Sequence, residues 1–183
     1  FYFHVSAAWI AFSAWLVSAY GGVRYLRSRD MKWDRLAVAS AEIGVMFIVM
    51  VLLTGMLWGR PTWNAWWTWD FKLTLSLLQF LMYLAYLVLR SGVESIDVRA
   101  RLSAVMGTLA ALLVPFIHLT VKLFRGMHPE AIVLAPAKPN LPPVMLMSFG
   151  LSMAAFLLLF FAVLRLRFRW ATLRDARAAM EAA

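Results

Sequence analysis

Long apolar runs separated by short charged segments dominate this sequence. Five runs stand out, at residues 5–23, 36–57, 73–89, 102–121 and 144–164. A transmembrane helix needs roughly 17–25 predominantly apolar residues, because each residue adds about 1.5 Å along the helix axis. We therefore predict an all-α fold, a polytopic transmembrane helical bundle of five spans that forms a single domain over residues 1–183. Pro115 lies inside the fourth run and predicts a kink there.

The composition excludes several classes of protein. Hydrophobic residues make up 63% of the chain, well above the roughly 45–50% of soluble domains. The absence of cysteine excludes disulfides, thiol catalysis and cysteine-ligated metal centres. A net charge of +9 would suggest nucleic acid in a soluble protein, but here the basic residues cluster between the apolar runs. We interpret them as a topology signal and expect a lipid bilayer, with no nucleic acid, around this protein.

Most of the 18 lysines and arginines lie on one side of the predicted bundle. They follow the first, third and fifth runs: Arg24, Arg27, Arg29, Lys32, Arg35, Arg90, Arg99, Arg101, Arg165, Arg167, Arg169, Arg174 and Arg177. By the positive-inside rule this side is cytoplasmic. The outer side then holds the start of the first span, a loop at 58–70 and a proline-rich loop at 122–143. Residues 165–183 are predicted to form a basic amphipathic helix that leaves the membrane on the cytoplasmic side.

The outer loop 58–70 reads WGRPTWNAWWTWD and holds five of the nine tryptophans. If Pro61 begins a short helix, Trp63, Trp66 and Trp67 lie at positions i, i+3 and i+4 and share one face. Such a face is a flat apolar platform edged with N–H donors, which suits a large planar ligand with a charged rim. The alternative is a loop that only anchors helix ends among lipid headgroups.

Both ends of this loop carry signals for local structure. Gly59 and Pro61 are predicted to form the turn out of the second span. Asp70 directly precedes the third span, where an aspartate side chain commonly caps the first free backbone amides of a helix. Capping is the role that we expect first for Asp70.

The three histidines, His4, His118 and His128, all fall at or near the outer side. Two imidazoles from separate segments can occupy both axial positions of a haem iron, and His4 with His128 is the candidate pair. The alternative for each is a hydrogen bond to lipid headgroups. His118 lies roughly 15 Å deeper than His128 if the helix is continuous. It either lines the haem cavity or a lateral route to it, or is a satisfied core histidine.

Haem carries two propionates that need cations near the interface. Outer candidates are Arg60, Lys72, Lys122 and Arg125, and the two arginines are preferred because guanidinium pairs with carboxylate in bidentate fashion. Each can instead contact headgroups. Glu42, buried in the second span, either carries protons or pairs with an arginine on the cytoplasmic side.

Three ordered segments resemble one family. WGRPTWNAWWTWD followed by FKLT, FYFHVSAAW at the start and PFIHLTVKLFRGMHP together resemble the cytochrome c maturation protein C family (CcmC, haem exporter protein C). The resemblance covers nearly the whole chain. It departs from the family in two ways: the family has six spans, so its first is absent here, and Lys72 stands where an arginine is common.

The resemblance implies a function. Haem b would bind at the periplasmic face of the bacterial inner membrane, with His4 and His128 as axial ligands of the iron. The protein would deliver haem to the chaperone CcmE, together with the ABC-type subunits CcmA and CcmB and the small protein CcmD. It would be a transport component and not an enzyme. The candidate haem site comprises His4, His128, Trp58, Trp63, Trp66, Trp67, Trp69, Asp70, Arg60, Arg125 and His118.

Three other functions compete with this interpretation. A cytochrome c synthase of the CcsA type shares the tryptophan-rich signature, but such chains are longer. A b-type cytochrome for electron transfer usually holds haem between histidines within its spans. A secondary transporter could use Glu42 and His118 as a proton relay, although no repeat supports that class.

Overall fold

The computed structural model describes residues 1–124, 126–129 and 141–181, and every regular element in these ranges is a helix. In chain order the helices are α1 (Tyr2–Ser28), α2 (Met31–Trp63), α3 (Phe71–Gly92), α4 (Ile96–Ala111), α5 (Leu113–Leu123) and α6 (Pro143–Glu181). Within the residues described, five segments are long and apolar enough to cross a membrane, and α4 with α5 forms the fourth of them. The predicted all-α bundle of five spans is confirmed, and the protein is a multi-pass membrane protein.

The fourth span is interrupted where a kink was predicted. The α-helical hydrogen-bonding pattern breaks at Leu112, between α4 and α5. Pro115 lacks the amide that would bond to the carbonyl of Ala111, and its ring crowds that carbonyl. The proline therefore separates α5, which leads to His128, from α4.

A tight turn joins α1 to α2 and makes them antiparallel. Arg29 ends α1 in a left-handed conformation with φ of 59°. Asp30 begins α2, and its side chain accepts a hydrogen bond from the backbone amide of Lys32 at 2.9 Å. Because the two helices run side by side in opposite directions, the start of α1 meets the far end of α2.

The centre of the bundle is built around Trp15 of α1, which is completely buried. Its indole stacks on Tyr83 of α3, with ring centroids 4.7 Å apart and planes within 7° of parallel. Gly44 of α2 makes room for it, since a Cβ at that position would lie 2.3 Å from the indole nitrogen. This packing locks α1, α2 and α3 together midway between the two ends of the bundle.

Ion pairs join the helices at the end that carries most of the arginines, here called the basic end. Arg90 of α3 donates two hydrogen bonds to the Asp34 carboxylate of α2, at 2.7 and 2.8 Å, and both side chains are buried. Glu42 accepts a hydrogen bond from the Arg167 guanidinium at 2.7 Å. Of the two roles considered for Glu42, the structure shows the pairing with an arginine of that side.

The predicted basic tail at 165–183 continues α6 without a break as far as Glu181. It is helical, as predicted, but it is not a separate element. Arg35 of α2 donates to the carboxylate of Asp175 at 2.9 Å and so ties this extension to the basic end.

Candidate haem-binding site

The starts of α1, α3 and α6 and the ends of α2 and α5 lie together at one end of the bundle, because successive spans alternate in direction. This end, here called the tryptophan-rich end, also holds the segment 64–70 between α2 and α3. His4 lies in the first turn of α1, and His128 follows α5. The chain's connectivity thus brings together segments that are more than 50 residues apart in sequence.

His4 is held against α2 by a hydrogen bond. Its Nδ1 lies 3.0 Å from the Thr54 hydroxyl oxygen. That hydroxyl donates its own hydrogen to the carbonyl of Met50 at 2.7 Å. The next residue, Gly55, lets the imidazole lie close to the helix, since a Cβ there would be only 3.2 Å from the Cε1 of His4.

His128 is partly buried and contacts α3. Its Nδ1 lies 3.2 Å from the Lys72 ammonium and 2.9 Å from the carbonyl oxygen of Pro129. Burial, and after it the positive charge of Lys72, lower the pKa of His128 below its usual value. The imidazole is therefore neutral at physiological pH, which is the form that binds iron.

The two histidines belong to one cluster. Both lie at the tryptophan-rich end, His4 against Thr54 of α2 and His128 against Lys72 of α3, and His4, His128 and Lys72 are here called the histidine cluster. An Nδ1 that donates to an oxygen leaves the lone pair on Nε2, the arrangement typical of histidines that ligate metals. Thr54 provides such an oxygen for His4. The Nδ1 of His128 lies near an acceptor, the Pro129 carbonyl, and near a donor, the Lys72 ammonium, so these two contacts do not select its tautomer. The donor set therefore fits a haem iron.

The space beside His128 is small. A crevice between α3 and α5, lined by Asp70, Lys72 and His128 among others, has a volume of about 10 Å³, room for roughly one water molecule. A porphyrin cannot enter a space of this size. A haem at this end would therefore lie outside this crevice.

The prediction that Pro61 begins a short helix is wrong. The helix α2 continues through Gly59 and Pro61 to Trp63, and Asn64 ends it in a left-handed conformation with φ of 53°. Gly59 is helical too, and the predicted turn at Gly59 and Pro61 is therefore wrong as well. The reason is that Asn64 tolerates the left-handed region, so the chain turns there, and Pro61 is accommodated in the last turn of α2.

Because α2 ends at Trp63, the five indoles of the segment 58–70 do not form one shared face. Trp63 lies on α2, with its ring centroid 6.5 Å from that of His128 and 5.0 Å from that of Trp58 in an edge-to-face arrangement. Trp66 and Trp67 follow the helix and do not share its face. Trp66 is 58% exposed and Trp69 is 75% exposed, and Trp69 packs edge-on against Trp67. The indole that borders the histidine cluster is Trp63.

Asp70 caps α3, as predicted. Its Oδ1 accepts a hydrogen bond from the amide of Leu73 at 2.9 Å, and its Oδ2 accepts one from the Thr68 hydroxyl at 3.2 Å. The segment after α5 packs on this cap, since a Cβ at Gly126 would lie 3.3 Å from the Asp70 Cβ. Asp70 thereby joins the start of α3 to the segment that carries His128.

The basic residues considered as partners of the haem propionates do not all lie beside the histidines. Lys72 contacts His128, as described above. Arg60 is exposed and hydrogen-bonds the side-chain oxygen of Asn64. Lys122 is exposed at the end of α5. Arg125 lies outside the residues that the structure describes, as does most of the proline-rich stretch of the 122–143 loop.

His118 lies apart from the other two histidines. It is exposed on α5, so the interpretation of a satisfied core histidine is wrong. Its Nδ1 lies 3.0 Å from the carbonyl of Val114 on the same helix. The ring packs against Phe12 and Trp9 of α1, at centroid distances of 5.0 and 6.3 Å. This position beside α1 faces the surroundings of the bundle.

Two contacts of the cluster were not predicted from the sequence. Thr54 was not among the candidate residues, and Lys72 was considered only as a partner for a propionate. A signal for Thr54 exists, since it is the only threonine in the apolar run 36–57. A lone hydroxyl within a span can bond to a carbonyl of its own helix and still accept a hydrogen bond from a neighbouring helix.

Comparison with known proteins supports the resemblance. The family model described as Heme exporter protein C matches residues 1–183. Proteins named Heme exporter protein C from Bradyrhizobium diazoefficiens and Paracoccus denitrificans are 35% and 32% identical to this chain, over 87% and 98% of its length. A third from Haemophilus influenzae is 30% identical over 88%. The chain spans 60%, 75% and 68% of these three relatives, respectively. Because the family match extends over the whole chain, this protein belongs to the Heme exporter protein C (CcmC) family.

Proposed function

We propose that this protein binds haem b at the outer, periplasmic face of the bacterial inner membrane and delivers it to the chaperone CcmE. His4 and His128 would be the axial ligands of the iron. The observation that carries the proposal is their position at the same end of the bundle, the tryptophan-rich end, from α1 and from the segment after α5. The Thr54 hydroxyl oxygen within hydrogen-bond distance of the His4 Nδ1 also leaves the Nε2 of this histidine for the metal.

The surface position of the cluster suits transfer better than storage. A ligand enclosed by helices would have to be released by opening the bundle, whereas one bound over the surface can be handed to a partner directly. Trp63 provides an aromatic edge beside His128. Lys72, Arg60 and Arg125 are the proposed partners of the haem propionates.

The remaining parts of the pathway would come from partners. CcmA, CcmB and CcmD are the proposed companions of this chain, and any use of ATP would belong to the ABC-type subunits. We infer a transport role without enzymatic bond formation by this chain. Glu42 pairs with Arg167, which argues against a proton relay through Glu42 and His118.

The test of haem ligation uses purified protein and the absorption and EPR spectra of added haem. We expect six-coordinate, low-spin haem in the wild-type protein and a loss of this signature in His4→Ala and in His128→Ala. His118→Ala is the matched control and should keep the wild-type spectrum, because His118 lies outside the cluster. Full six-coordinate haem in both His4→Ala and His128→Ala would refute the proposed ligands.

The test of delivery is made in cells that lack the native protein. Haem bound covalently to CcmE is expected to accumulate with the wild-type chain and to fall strongly with either histidine variant. Accumulation of haem on CcmE at wild-type levels with the double variant would argue against this chain as the donor.

A further inference from the structure

We propose that Thr54 is a positioning residue that fixes the tautomer of His4, so that Nε2 carries the lone pair that would bind the haem iron. This inference rests on the proposed ligation and extends it to a residue that does not itself touch the metal. The role of Thr54 depends on how many hydrogen bonds its hydroxyl can donate and accept. A threonine hydroxyl has one hydrogen to donate and two lone pairs that accept.

The Thr54 hydroxyl donates its hydrogen to a backbone carbonyl of its own helix. The carbonyl oxygens of Met50 and Val51 lie 2.7 and 3.3 Å from the hydroxyl oxygen. The shorter of these two contacts, to Met50, is the hydrogen bond that the hydroxyl donates. Toward His4, 3.0 Å away, Thr54 presents a lone pair.

With the hydroxyl hydrogen on the Met50 carbonyl, the Nδ1 of His4 carries the hydrogen of its bond to Thr54. A neutral imidazole has one N–H, so its Nε2 is then unprotonated and can bind iron. In the opposite tautomer the hydroxyl would have to turn its hydrogen toward Nδ1 and give up the 2.7 Å bond to the Met50 carbonyl. The chain Nδ1–H to hydroxyl to carbonyl thus orients the ring and leaves Nε2 as the unprotonated nitrogen.

Packing protects this arrangement. His4 is partly buried between α1 and α2, and Gly55 allows the ring to approach α2 closely. Water competes poorly for a hydrogen bond in such a place. Loss of a residue that orients a ligating histidine typically weakens metal binding by roughly 10–100-fold, which sets the expected scale.

The experiment compares Thr54→Val, which keeps the shape and removes the hydroxyl, with Thr54→Ser, which keeps it. We expect Thr54→Val to weaken binding of added haem by about 10–100-fold and to reduce the low-spin fraction. Thr54→Ser should restore both. Thr108→Val is the matched control, because Thr108 also donates to the carbonyl four residues earlier but lies away from the cluster.

A second readout separates orientation from general stability. In haem-free protein labelled with ¹⁵N-histidine, only three imidazoles contribute, and His4→Ala assigns the signal of His4. We expect the wild type to show a protonated Nδ1 and an unprotonated Nε2 at His4, and Thr54→Val to show a mixture of tautomers. Loss of packing alone would lower the unfolding temperature without changing the tautomer.

The outcomes are distinguishable. If His4→Ala binds haem as the wild type does, the proposed ligation fails and this inference fails with it. If His4→Ala loses haem while Thr54→Val retains both wild-type affinity and the wild-type tautomer, the ligation stands and the role of Thr54 is refuted. Weak binding in Thr54→Ser as well as in Thr54→Val would also contradict a role for the hydroxyl.

Discussion

The Lys72 ammonium, 3.2 Å from the Nδ1 of His128, makes the protonation of this histidine a sensitive test of the site. Burial first, and then this positive charge, hold the pKa of His128 below the ordinary value of 6.5. In the unfolded chain His128 would bind its proton at higher pH than in the folded protein. The pKa difference therefore makes folding less favourable as the pH falls below 6.5.

We predict that Lys72→Gln raises the pKa of His128 in haem-free protein, because the variant removes the neighbouring positive charge. The measurement is a pH titration of the ¹⁵N-labelled imidazole. Lys122→Gln is the control, since Lys122 is exposed at the end of α5, and it should leave the titration unchanged. A pKa of His128 in Lys72→Gln at or below that of the wild type would contradict the described contact.

Single residues also show how far sequence reasoning reaches. The cap formed by Asp70 was predictable because its partner, Leu73, is three residues away and the signal is local. The grouping of the indoles was not predictable, because it depended on whether Pro61 begins a helix or lies near the end of one. The partner of Thr54 is 50 positions away, and only the packing of α1 on α2 brings His4 to it.

At the scale of the helices, the contact between α1 and α2 depends on Gly44. Trp15 occupies the space that a side chain at this position would need. We predict that Gly44→Ala destabilises the bundle by about 1–3 kcal/mol, the usual cost of overpacking a tightly filled core. The measurement is the free energy of unfolding in mixed detergent micelles.

Gly150→Ala is the matched control for this substitution. It also lies within a helix, α6, but nothing is within 4 Å of the position of an added Cβ. Alanine is preferred to glycine in a helix by roughly 0.5–1 kcal/mol, so this variant should be neutral or slightly stabilising. Equal destabilisation by both variants would show that the cost comes from the helix and not from the contact with Trp15.

The helices themselves were largely predictable because their cause is simple. Apolar runs of the length of a bilayer have few alternatives to helix, since backbone groups must be satisfied within the segment. The interruption in the fourth span could be expected from Pro115, for the same local reason. The continuity of α6 through its basic extension was harder to predict, because a change from apolar to basic composition does not by itself end a helix.

At the scale of the whole molecule, the two ends of the bundle differ in charge and in chemistry. The basic end carries most of the arginines and the buried pair of Arg90 with Asp34. The other end carries the two clustered histidines and the tryptophan-rich segment. If basic segments stay on the cytoplasmic side, the histidine cluster faces the periplasm.

This orientation can be tested with single cysteines, because the natural chain contains none. Thr62 and Ser91 are both exposed and lie at opposite ends of the bundle, Thr62 beside the tryptophan-rich segment and Ser91 at the end of α3. We predict that Thr62→Cys reacts with a membrane-impermeant maleimide in intact spheroplasts. Ser91→Cys should react only after the membrane is permeabilised.

Each cysteine variant is the control for the other, because the two positions lie at opposite ends of the bundle. Both cysteines should react in detergent, which shows that each is accessible, and both variants should bind haem like the wild type. The reversed pattern in spheroplasts would place the histidine cluster on the cytoplasmic side. Delivery to a periplasmic chaperone would then be impossible from this site, even if His4 and His128 still ligated haem.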